Sequence, residues 1–210
     1  MLTKEQEEIL IGALLGDASI EYNGSSCRIR FDYSIKVRDY VYWLAEKLLP
    51  YSGKVTEYAA YDKRTKKVNK KIRFYTSTNS IFDKYRDMFY TGLNGEKDTV
   101  PPNIKDLLSS KLTLAVWFLD DGALRTDSNA YRIHTECFPL ESVKELIGAL
   151  RSNFAIESKE HNHRNAATKL AAEKGYLIHI GSKGGHAKKL NELIKDFVAS
   201  EIPIMLYKFF

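Results

Sequence analysis

The stretch LIGALLGDA, residues 10–18, decides how this chain is organised, because LAVWFLDDG, residues 114–122, repeats its pattern. Each stretch is a short apolar run that ends in a carboxylate followed by a small residue. The two carboxylates, Asp17 and Asp121, lie about half a chain apart. This spacing predicts two similar halves, each of which brings one acid to a shared place.

A helix whose faces are almost all apolar is expected to be buried on most sides. Gly12 and Gly16 lie four residues apart and therefore share one face, where a second helix can approach closely. Asp17 then stands at the end of the helix, where the macrodipole favours cations. A buried carboxylate is costly without compensation, and a divalent metal supplies it. The alternative is that Asp17 only ends the helix and faces water; the repeat at Asp121 favours the metal site.

The two stretches resemble the paired motifs of the LAGLIDADG homing endonucleases, in the single-chain, intron-encoded form typified by I-SceI. In that family the acid at the eighth motif position binds metal, and these acids would be Asp17 and Asp121. The glycine at the third position matches Gly12, whereas Val116 replaces it in the second copy. Close packing of the helices there is expected to depend on Ala115 and on the glycines opposite.

The resemblance implies an α+β fold of two pseudo-symmetric αββαββα units, which form a saddle of antiparallel sheets. It divides the chain into an N-terminal half (residues 1–91), a linker (92–109), a C-terminal half (110–200) and a docked tail (201–210). It also implies Mg²⁺ as the cofactor, with Mn²⁺ as a substitute. Besides the two acids, the backbone carbonyls of Gly16 and Asp120 are the predicted ligands.

Two lysines are predicted to complete the active site. Members of the family commonly carry a basic residue just before a Thr-(Ile/Val)-Pro step, which here is TVP at 99–101. The residue directly before it is Asp98, so Lys97, one position further back, is the candidate. In the I-SceI-like branch a Met-Tyr-Lys tail supplies the second lysine, which maps to Lys208. The alternative is that Lys208 is an ordinary surface lysine of an apolar tail.

Composition restricts the class of protein. The formal net charge is +5 and 44% of the 210 residues are hydrophobic, which suits a folded protein that binds nucleic acid. No apolar run approaches the ~20 residues of a membrane-spanning helix. The two cysteines, Cys27 and Cys137, lack zinc-site partners in the sequence and are expected to be free thiols in a reducing compartment. The thiols thus indicate an intracellular compartment, and the resemblance implies that it contains DNA and that the protein is a monomer.

Basic residues on predicted strands indicate a surface for duplex DNA. Residues 27–36 alternate with a period of two, so one face is apolar and the other basic. The loop at 62–70 joins two predicted strands and holds five basic residues against one acid; the alternative is that it is merely solvated. The predicted DNA contacts are Arg28, Arg30, Lys36, Lys63, Arg64, Lys66, Lys67, Lys71, Arg73, Tyr75, Arg132, His134, His163 and Arg164.

In the second half, the strand at 130–137 places Arg132 and His134 on its outer face. His161 and His163 are predicted to lie in a loop. Because these two histidines lack further ligands nearby, a turn that contacts DNA is favoured over a zinc site.

The resemblance implies a site-specific endonuclease that makes a metal-dependent double-strand break in a long asymmetric DNA target. Three alternatives remain open at this point. The first is an RNA-splicing maturase on the same fold, with host intron RNA as its partner. The second is a DNA-binding protein without nuclease activity, and the third is a structural protein in which the carboxylates are incidental.

Overall fold

Two four-stranded antiparallel sheets form the framework of the protein. The computed structural model describes residues 1–91, 97–163 and 175–210. The first half contains α1 (Lys4–Leu15), β1 (Ser19–Asn23), β2 (Ser26–Ser34), α2 (Arg38–Lys47), β3 (Thr56–Asp62), β4 (Lys67–Tyr75) and α3 (Asp83–Phe89). Its strands are ordered β1-β2-β4-β3.

The second half repeats this order of elements. After a short helix α4 (Ile104–Leu107) come α5 (Lys111–Asp121), β5 (Gly122–Leu124), β6 (Tyr131–Ile133), α6 (Leu140–Phe154), β7 (Lys159–His163), β8 (Gly175–Ile180) and α7 (His186–Glu201). Its strands are ordered β5-β6-β8-β7, which matches the first sheet position by position. The predicted α+β fold of two αββαββα units is therefore confirmed. The boundaries proposed for the halves, linker and tail stay a prediction.

Local sequence explains where α1 begins. Thr3 is the N-cap: its hydroxyl accepts the N–H of Gln6 at 3.2 Å, and the Gln6 side chain accepts the N–H of Thr3 at 3.0 Å. This reciprocal capping satisfies two backbone donors that a helix start leaves without partners.

The helices α1 and α5 pack against each other in the centre of the molecule. A Cβ atom added at Gly12 would lie 2.7 Å from the carbonyl oxygen of Thr113 and 2.8 Å from Cβ of Val116. The hydroxyl of Thr113 also donates to the carbonyl of Glu8 at 3.1 Å. The missing side chain of Gly12 thus makes the room that Val116 fills, as expected from the substitution in the second motif.

The alternation in β2 is confirmed, although the strand is shorter than predicted. Cys27, Ile29, Phe31 and Tyr33 are all buried beneath the sheet. The strand ends at Ser34, and Ile35–Val37 forms a 3-10 helix. The side chain of Ser34 caps this turn by accepting the N–H of Lys36. Lys36 therefore belongs to the turn rather than to the basic strand face.

Two predicted loops contain strand residues. β4 begins at Lys67, so the basic loop of the first half comprises only 63–66. The Asp62 carboxylate accepts the N–H of Arg64 at 2.8 Å, which closes a tight turn and lets pairing continue to Asp62 and Lys67. His161 and His163 lie in β7, not in a loop. β7 is an edge strand of its sheet, where polar side chains are tolerated and no alternating apolar pattern is needed.

Residues after α7 pack back onto the core. A 3-10 helix spans Pro203–Lys208, and Met205 and Phe209 are buried. The ring of Phe209 lies 5.3 Å from that of Phe118 in α5. The tail is thereby held against the central helix pair. Within the described ranges, no helix combines the length and the apolar character that crossing a bilayer requires.

Candidate active site

Asp17 and Asp121 lie together where the two central helices end. Asp121 is the last residue of α5, and Asp17 follows the end of α1 by two residues. The N–H of Asp17 donates to Oδ2 of Asp120 at 3.2 Å, which joins the two motifs directly. The predicted convergence of the acids from the two halves is therefore seen in the structure.

The pKa values of both acids are raised from their ordinary values. Burial raises the pKa of Asp17, against the opposing effect of Lys208 and Lys97. Burial also raises the pKa of Asp121 well above its usual range, and the negative charges of Asp17 and Asp120 raise it further. Asp17 is exposed and Asp121 half-buried, so a cation could reach both carboxylates, and neighbouring carboxylates that repel each other bind a cation favourably.

Lys97 reaches the end of the first motif, as predicted. Its Nζ donates to the carbonyl of Leu14 at 2.8 Å, to that of Ala18 at 3.4 Å and, in a very short contact, to that of Gly16. These are carbonyls that the end of a helix leaves without N–H partners. The ammonium group therefore stabilises the terminus from which Asp17 projects.

Lys208 has the same relation to the second motif. Its Nζ donates to the carbonyl of Asp120 at 3.1 Å and to that of Gly122 at 2.8 Å. Burial lowers the pKa of Lys208, while the nearby carboxylates act in the opposite direction. Lys208 is therefore not an ordinary surface lysine, since it is held beside both acids by its backbone contacts.

The donors of this site fit Mg²⁺. The Asp17 and Asp121 carboxylates and the Gly16 and Asp120 carbonyls are hard oxygen ligands, which Mg²⁺ prefers. The two carbonyls already bind cationic groups, namely the lysine ammoniums. In the part of the chain that the structure describes, no cluster of three or more His, Cys, Asp or Glu side chains could hold a metal. A bound metal would thus need backbone oxygens, water or substrate to complete its coordination.

The side chain of Asp120 has a place that sequence reasoning missed. It accepts hydrogen bonds from the hydroxyls of Tyr40 at 2.9 Å and Tyr33 at 3.1 Å, besides that from Asp17. Burial, and then the charge of Asp17, raises its pKa to about 8. A Cβ at Gly16 would overlap this side chain, so the glycine leaves the room for it. The two consecutive acids, Asp120 and Asp121, could have indicated a second functional carboxylate, but the sequence does not show which of them faces the substrate.

The outer face of the first sheet carries the predicted basic residues. The strand register places Arg30 beside Tyr75 and Ser34 beside Lys71. The guanidinium of Arg73 lies 4.4 Å from the ring centre of Tyr58, and cation–π contact of this kind holds it at the surface. Arg28, Arg30, Lys71, Arg73 and Tyr75 therefore share one face, as predicted.

Two acids on this face form ion pairs that the sequence did not predict. The Nε atom of Arg28 donates to Glu21 at 2.7 Å, and Nζ of Lys71 lies 2.8 Å from Asp32. Glu21 and Asp32 alternate with the basic residues and share their face, so the surface is less positive than the basic residues alone indicate. A phosphate group would have to compete with these ion pairs.

Arg30 connects this face to the active site. A groove of about 360 Å³ opens beside Asp17, and its walls include Arg30, Tyr90 and Lys97. The basic face, through Arg30, and the acid of the first motif, Asp17, therefore border the same groove.

The second sheet presents a corresponding cationic group. Arg132 lies beside His179 in the register of β6 and β8, and Lys159 of β7 lies on the other side of His179. Burial lowers the pKa of His179, and the charges of Arg125 and Arg132 lower it further. Neither Lys159 nor His179 was predicted as a contact. For Lys159 the reason is that a polar edge strand such as β7 gives no periodic signal. Arg164 and the side chain of His163 lie outside the described residues.

His134 follows the end of β6 at Ile133, and the prediction that it lies on the face of a strand that continues to residue 137 is wrong. The backbone N–H of His134 donates to the backbone carbonyl of Asp121 at 3.0 Å. Its imidazole lies 3.0 Å from Glu136, and that hydrogen bond raises the pKa of His134. Its predicted role in contacting bases stays a prediction. Lys63, Arg64, Lys66 and Lys67 are exposed at the end of the β3–β4 hairpin.

Comparison with known proteins gives a consistent result. Residues 7–186 match the family described as the LAGLIDADG DNA endonuclease family. The chain is 31% identical to DNA endonuclease I-ChuI of Chlamydomonas applanata, over 99% of this chain and 95% of that protein. It is also 31% identical to cytochrome b mRNA maturase bI2 of Debaryomyces hansenii, over 99% of this chain and 74% of that protein.

A solved structure agrees with these relatives. The homing endonuclease I-WcaI, bound to its DNA recognition sequence, matches with a TM-score of 0.80 and 25% identity, over 100% of this chain and 88% of that one. The more specific assignment to the I-SceI-like branch stays a prediction. The fold, the paired motif acids and the match over most of the chain show that this protein belongs to the LAGLIDADG DNA endonuclease family.

Proposed function

We propose that this chain is a site-specific homing endonuclease, which makes a metal-dependent double-strand break in a long asymmetric DNA target. The observation that carries the proposal is the convergence of Asp17 and Asp121, each beside a lysine bound to the carbonyls of its own motif. The similarity to I-ChuI, a DNA endonuclease, and to I-WcaI, which was solved on its DNA recognition sequence, supports it.

The substrate would be duplex DNA bound along the two sheets. β-Strands fit the major groove, where side chains can distinguish base pairs. The two outer faces differ, since the first carries Arg73 and Tyr75 and the second Arg132 and His179. Two unlike faces would read two unlike half-sites, which is why we expect an asymmetric target.

The chemistry follows from the groups at the helix ends. Asp17 and Asp121, with the carbonyls of Gly16 and Asp120, would hold Mg²⁺ or Mn²⁺. When bound, the metal would lower the pKa of an attacking water and stabilise the leaving oxygen. Lys97 and Lys208 would place positive charge beside the phosphate, where negative charge develops during the displacement. The two acids come from opposite halves, so each half would serve one DNA strand.

The test is selection of a cleaved site from a random duplex library. The purified chain is incubated with the library and Mg²⁺, and cleaved molecules are sequenced. We expect one long asymmetric site, cut on both strands, with no cleavage in EDTA and recovery in Mn²⁺. Asp121→Ala should abolish cleavage of the selected site. Cleavage that survives in Asp121→Ala, or in EDTA, would refute the catalytic assignment.

A second candidate function is RNA splicing as a maturase, which the 31% identity to maturase bI2 favours. Its partner would be a host intron RNA. Asp17→Asn tests whether the two activities separate, because it removes a carboxylate that the proposed cleavage needs. Loss of DNA cleavage in this variant with splicing of the intron intact would add the maturase function. Loss of both DNA cleavage and splicing in Asp17→Asn would count against a separate maturase function.

Binding without catalysis can be separated from both candidates. The salt dependence of duplex DNA binding reports the number of phosphates that the protein neutralises. A structural protein with incidental carboxylates would show no such dependence. A DNA-binding protein without nuclease activity would show this salt dependence, but the selection would yield no cleaved DNA.

A further inference from the structure

The two motifs end differently, although their sequences are similar. α5 continues in helical form through Asp121. α1 ends at Leu15, and Gly16 has φ −97° and ψ −131°, which is outside the helical region. The N–H of Gly16 still reaches the carbonyls of Gly12 and Ala13, but the N–H of Asp17 has left the helix. Asp17 thus needs an acceptor from elsewhere to fix its backbone.

Asp120 supplies that acceptor from the opposite half. Its Oδ2 lies 3.2 Å from the backbone nitrogen of Asp17. The side chain occupies the room left by Gly16, where any Cβ would overlap it. Gly16 and Asp120 hold the same position in their motifs, and glycine has no side chain. Gly16 therefore cannot make the reverse contact, from its side chain to the backbone of Asp121.

The Asp120 carboxylate is itself held rigidly. The hydroxyl of Tyr40 in α2 donates to Oδ1 at 2.9 Å, and the hydroxyl of Tyr33 in β2 donates to Oδ2 at 3.1 Å. All three of these donors, including Asp17, belong to the first half. An acid so engaged points towards the protein rather than towards DNA, so its effect on the reaction would pass through Asp17.

We propose that the side chain of Asp120 is a positioning residue, which holds Asp17 in its reactive position through the Asp17 backbone. This inference rests on the proposed nuclease function only where it predicts the effect of Asp120 on the cleavage rate; the contact between Asp120 and Asp17 does not depend on that function. The contact is one-sided: its loss displaces Asp17, while Asp121 keeps its place in α5. Catalysis is sensitive to such a displacement, because a misplacement of ~1 Å can cost about 10²-fold in rate.

Two substitutions separate the acceptor from the volume of the side chain. Asp120→Leu has a similar shape and no acceptor. Asp120→Asn keeps one carbonyl oxygen for the Asp17 N–H, and its amide group can donate to a tyrosine hydroxyl, which rotates to accept. Hydrogen exchange of the Asp17 amide, followed by NMR without DNA or metal, should lose protection in Asp120→Leu and retain it in Asp120→Asn. Unchanged protection in Asp120→Leu would overturn the proposed contact.

The effect on catalysis is measured with the duplex obtained by selection. Under single-turnover conditions, Asp120→Leu should slow cleavage by about 10-fold to 10²-fold, while the Kd for DNA in EDTA changes less than about threefold. Asp120→Asn should restore most of the rate. Asp83→Leu is the matched control, since Asp83 accepts the N–H of Cys27 at 2.8 Å away from the site. This control should lower the Tm and leave the cleavage rate unchanged.

Three outcomes would overturn the proposal: an unchanged rate in Asp120→Leu, an equal loss of rate in Asp83→Leu, or a weakening of DNA binding as large as the loss of rate. Should Asp120→Leu fail to fold, the Tyr33→Phe/Tyr40→Phe double variant releases the carboxylate and should give the same loss. If the unchanged chain cuts no selected duplex, the proposed function fails, whereas the amide exchange still decides whether Asp120 holds Asp17.

Discussion

At the scale of single residues, two lysines far apart in sequence have equivalent partners. Lys97 binds the carbonyls of Gly16 and Ala18, and Lys208 binds those of Asp120 and Gly122. Each lysine thus neutralises the negative end of one motif and adds positive charge beside the acids. These contacts join the ends of α1 and α5 to the segments that carry Lys97 and Lys208. No local sequence pattern indicates this pairing.

Lys97→Met and Lys208→Met keep most of the side-chain volume and remove the charge. Each should slow single-turnover cleavage by about 10²-fold to 10³-fold, because an electrostatic contact at the developing charge is lost. DNA affinity in EDTA should change little. Lys144→Met, at an exposed position of α6, is the matched control and should cleave normally. A normal rate in either active-site variant would exclude that lysine from the reaction.

Glu7 offers a residue-scale test of pH dependence outside the active site. The hydroxyl of Tyr85 donates to Glu7 at 2.6 Å, and this bond lowers the pKa of Glu7. A carboxyl group whose pKa is lower in the folded state stabilises the protein above its unfolded pKa, and this stability is lost as the pH falls through the folded pKa. Tyr85→Phe should therefore lower the Tm near neutral pH.

The difference in Tm between Tyr85→Phe and the unchanged chain should become smaller in acid, as Glu7 becomes protonated. Lys84→Met, which removes the 3.2 Å ion pair to the same carboxylate, is a useful comparison. Because that pair is largely solvated, its removal should have a smaller effect. A difference in Tm that is independent of pH would assign the effect of Tyr85→Phe to packing alone.

At the scale of the elements, the α1–α5 contact positions the active site. Gly12 allows the helices to approach until the Thr113 carbonyl lies 2.7 Å from where a Cβ would be. Both acids emerge from the ends of these helices, so a change in their spacing would displace the acids as well. The helix pair therefore connects the stability of the fold to the geometry of the candidate active site.

Gly12→Ala should destabilise the fold by about 1–3 kcal/mol, because the added methyl group meets backbone that cannot move aside. Gly148→Ala is the matched control within α6. A Cβ at Gly148 would meet only the flexible Lys105 side chain at 3.4 Å. That substitution should be neutral or stabilising by about 0.5–1 kcal/mol, since alanine favours helix. Denaturant unfolding measures both, and equal effects would contradict the proposed close packing.

At the scale of the whole molecule, one chain contains both halves of the site. Asp17 and Asp121 belong to the same polypeptide, and Asp120 joins its half to the other through Tyr33 and Tyr40. A single copy therefore has every group that the proposed reaction needs. This is the physical basis for expecting a monomer.

Mixing two inactive variants tests this expectation. Asp17→Asn and Asp121→Asn each carry one defective motif, and a monomer cannot exchange motifs between copies. The mixture should therefore show no more double-strand cleavage of the selected duplex than either variant alone. Sedimentation equilibrium should give 24.1 kDa in the absence of DNA. Restored cleavage in the mixture would show that sites are assembled from two chains.

Several secondary-structure features of this protein can be predicted from local patterns in the sequence. The repeated apolar run with its terminal acid predicted the two central helices, and the period-two stretch at 27–33 predicted which face of β2 is buried. Thr3 and Gln6 predicted the start of α1. These features are local, because backbone periodicity and capping depend on residues only a few positions apart.

Only the tertiary structure decided the remaining features. Pairing of Glu21 with Arg28 and of Asp32 with Lys71 depends on strand register, and β7 exists because β8 satisfies its backbone. The place of the Asp120 side chain depends on Gly16, which the sequence puts half a chain away. The sequence alone determined that two acids end two buried helices. The half-chain repeat also predicted that these acids meet, but the one-sided contact from the Asp120 side chain to the Asp17 backbone required the packing of one helix on the other, since long-range contacts leave no local pattern.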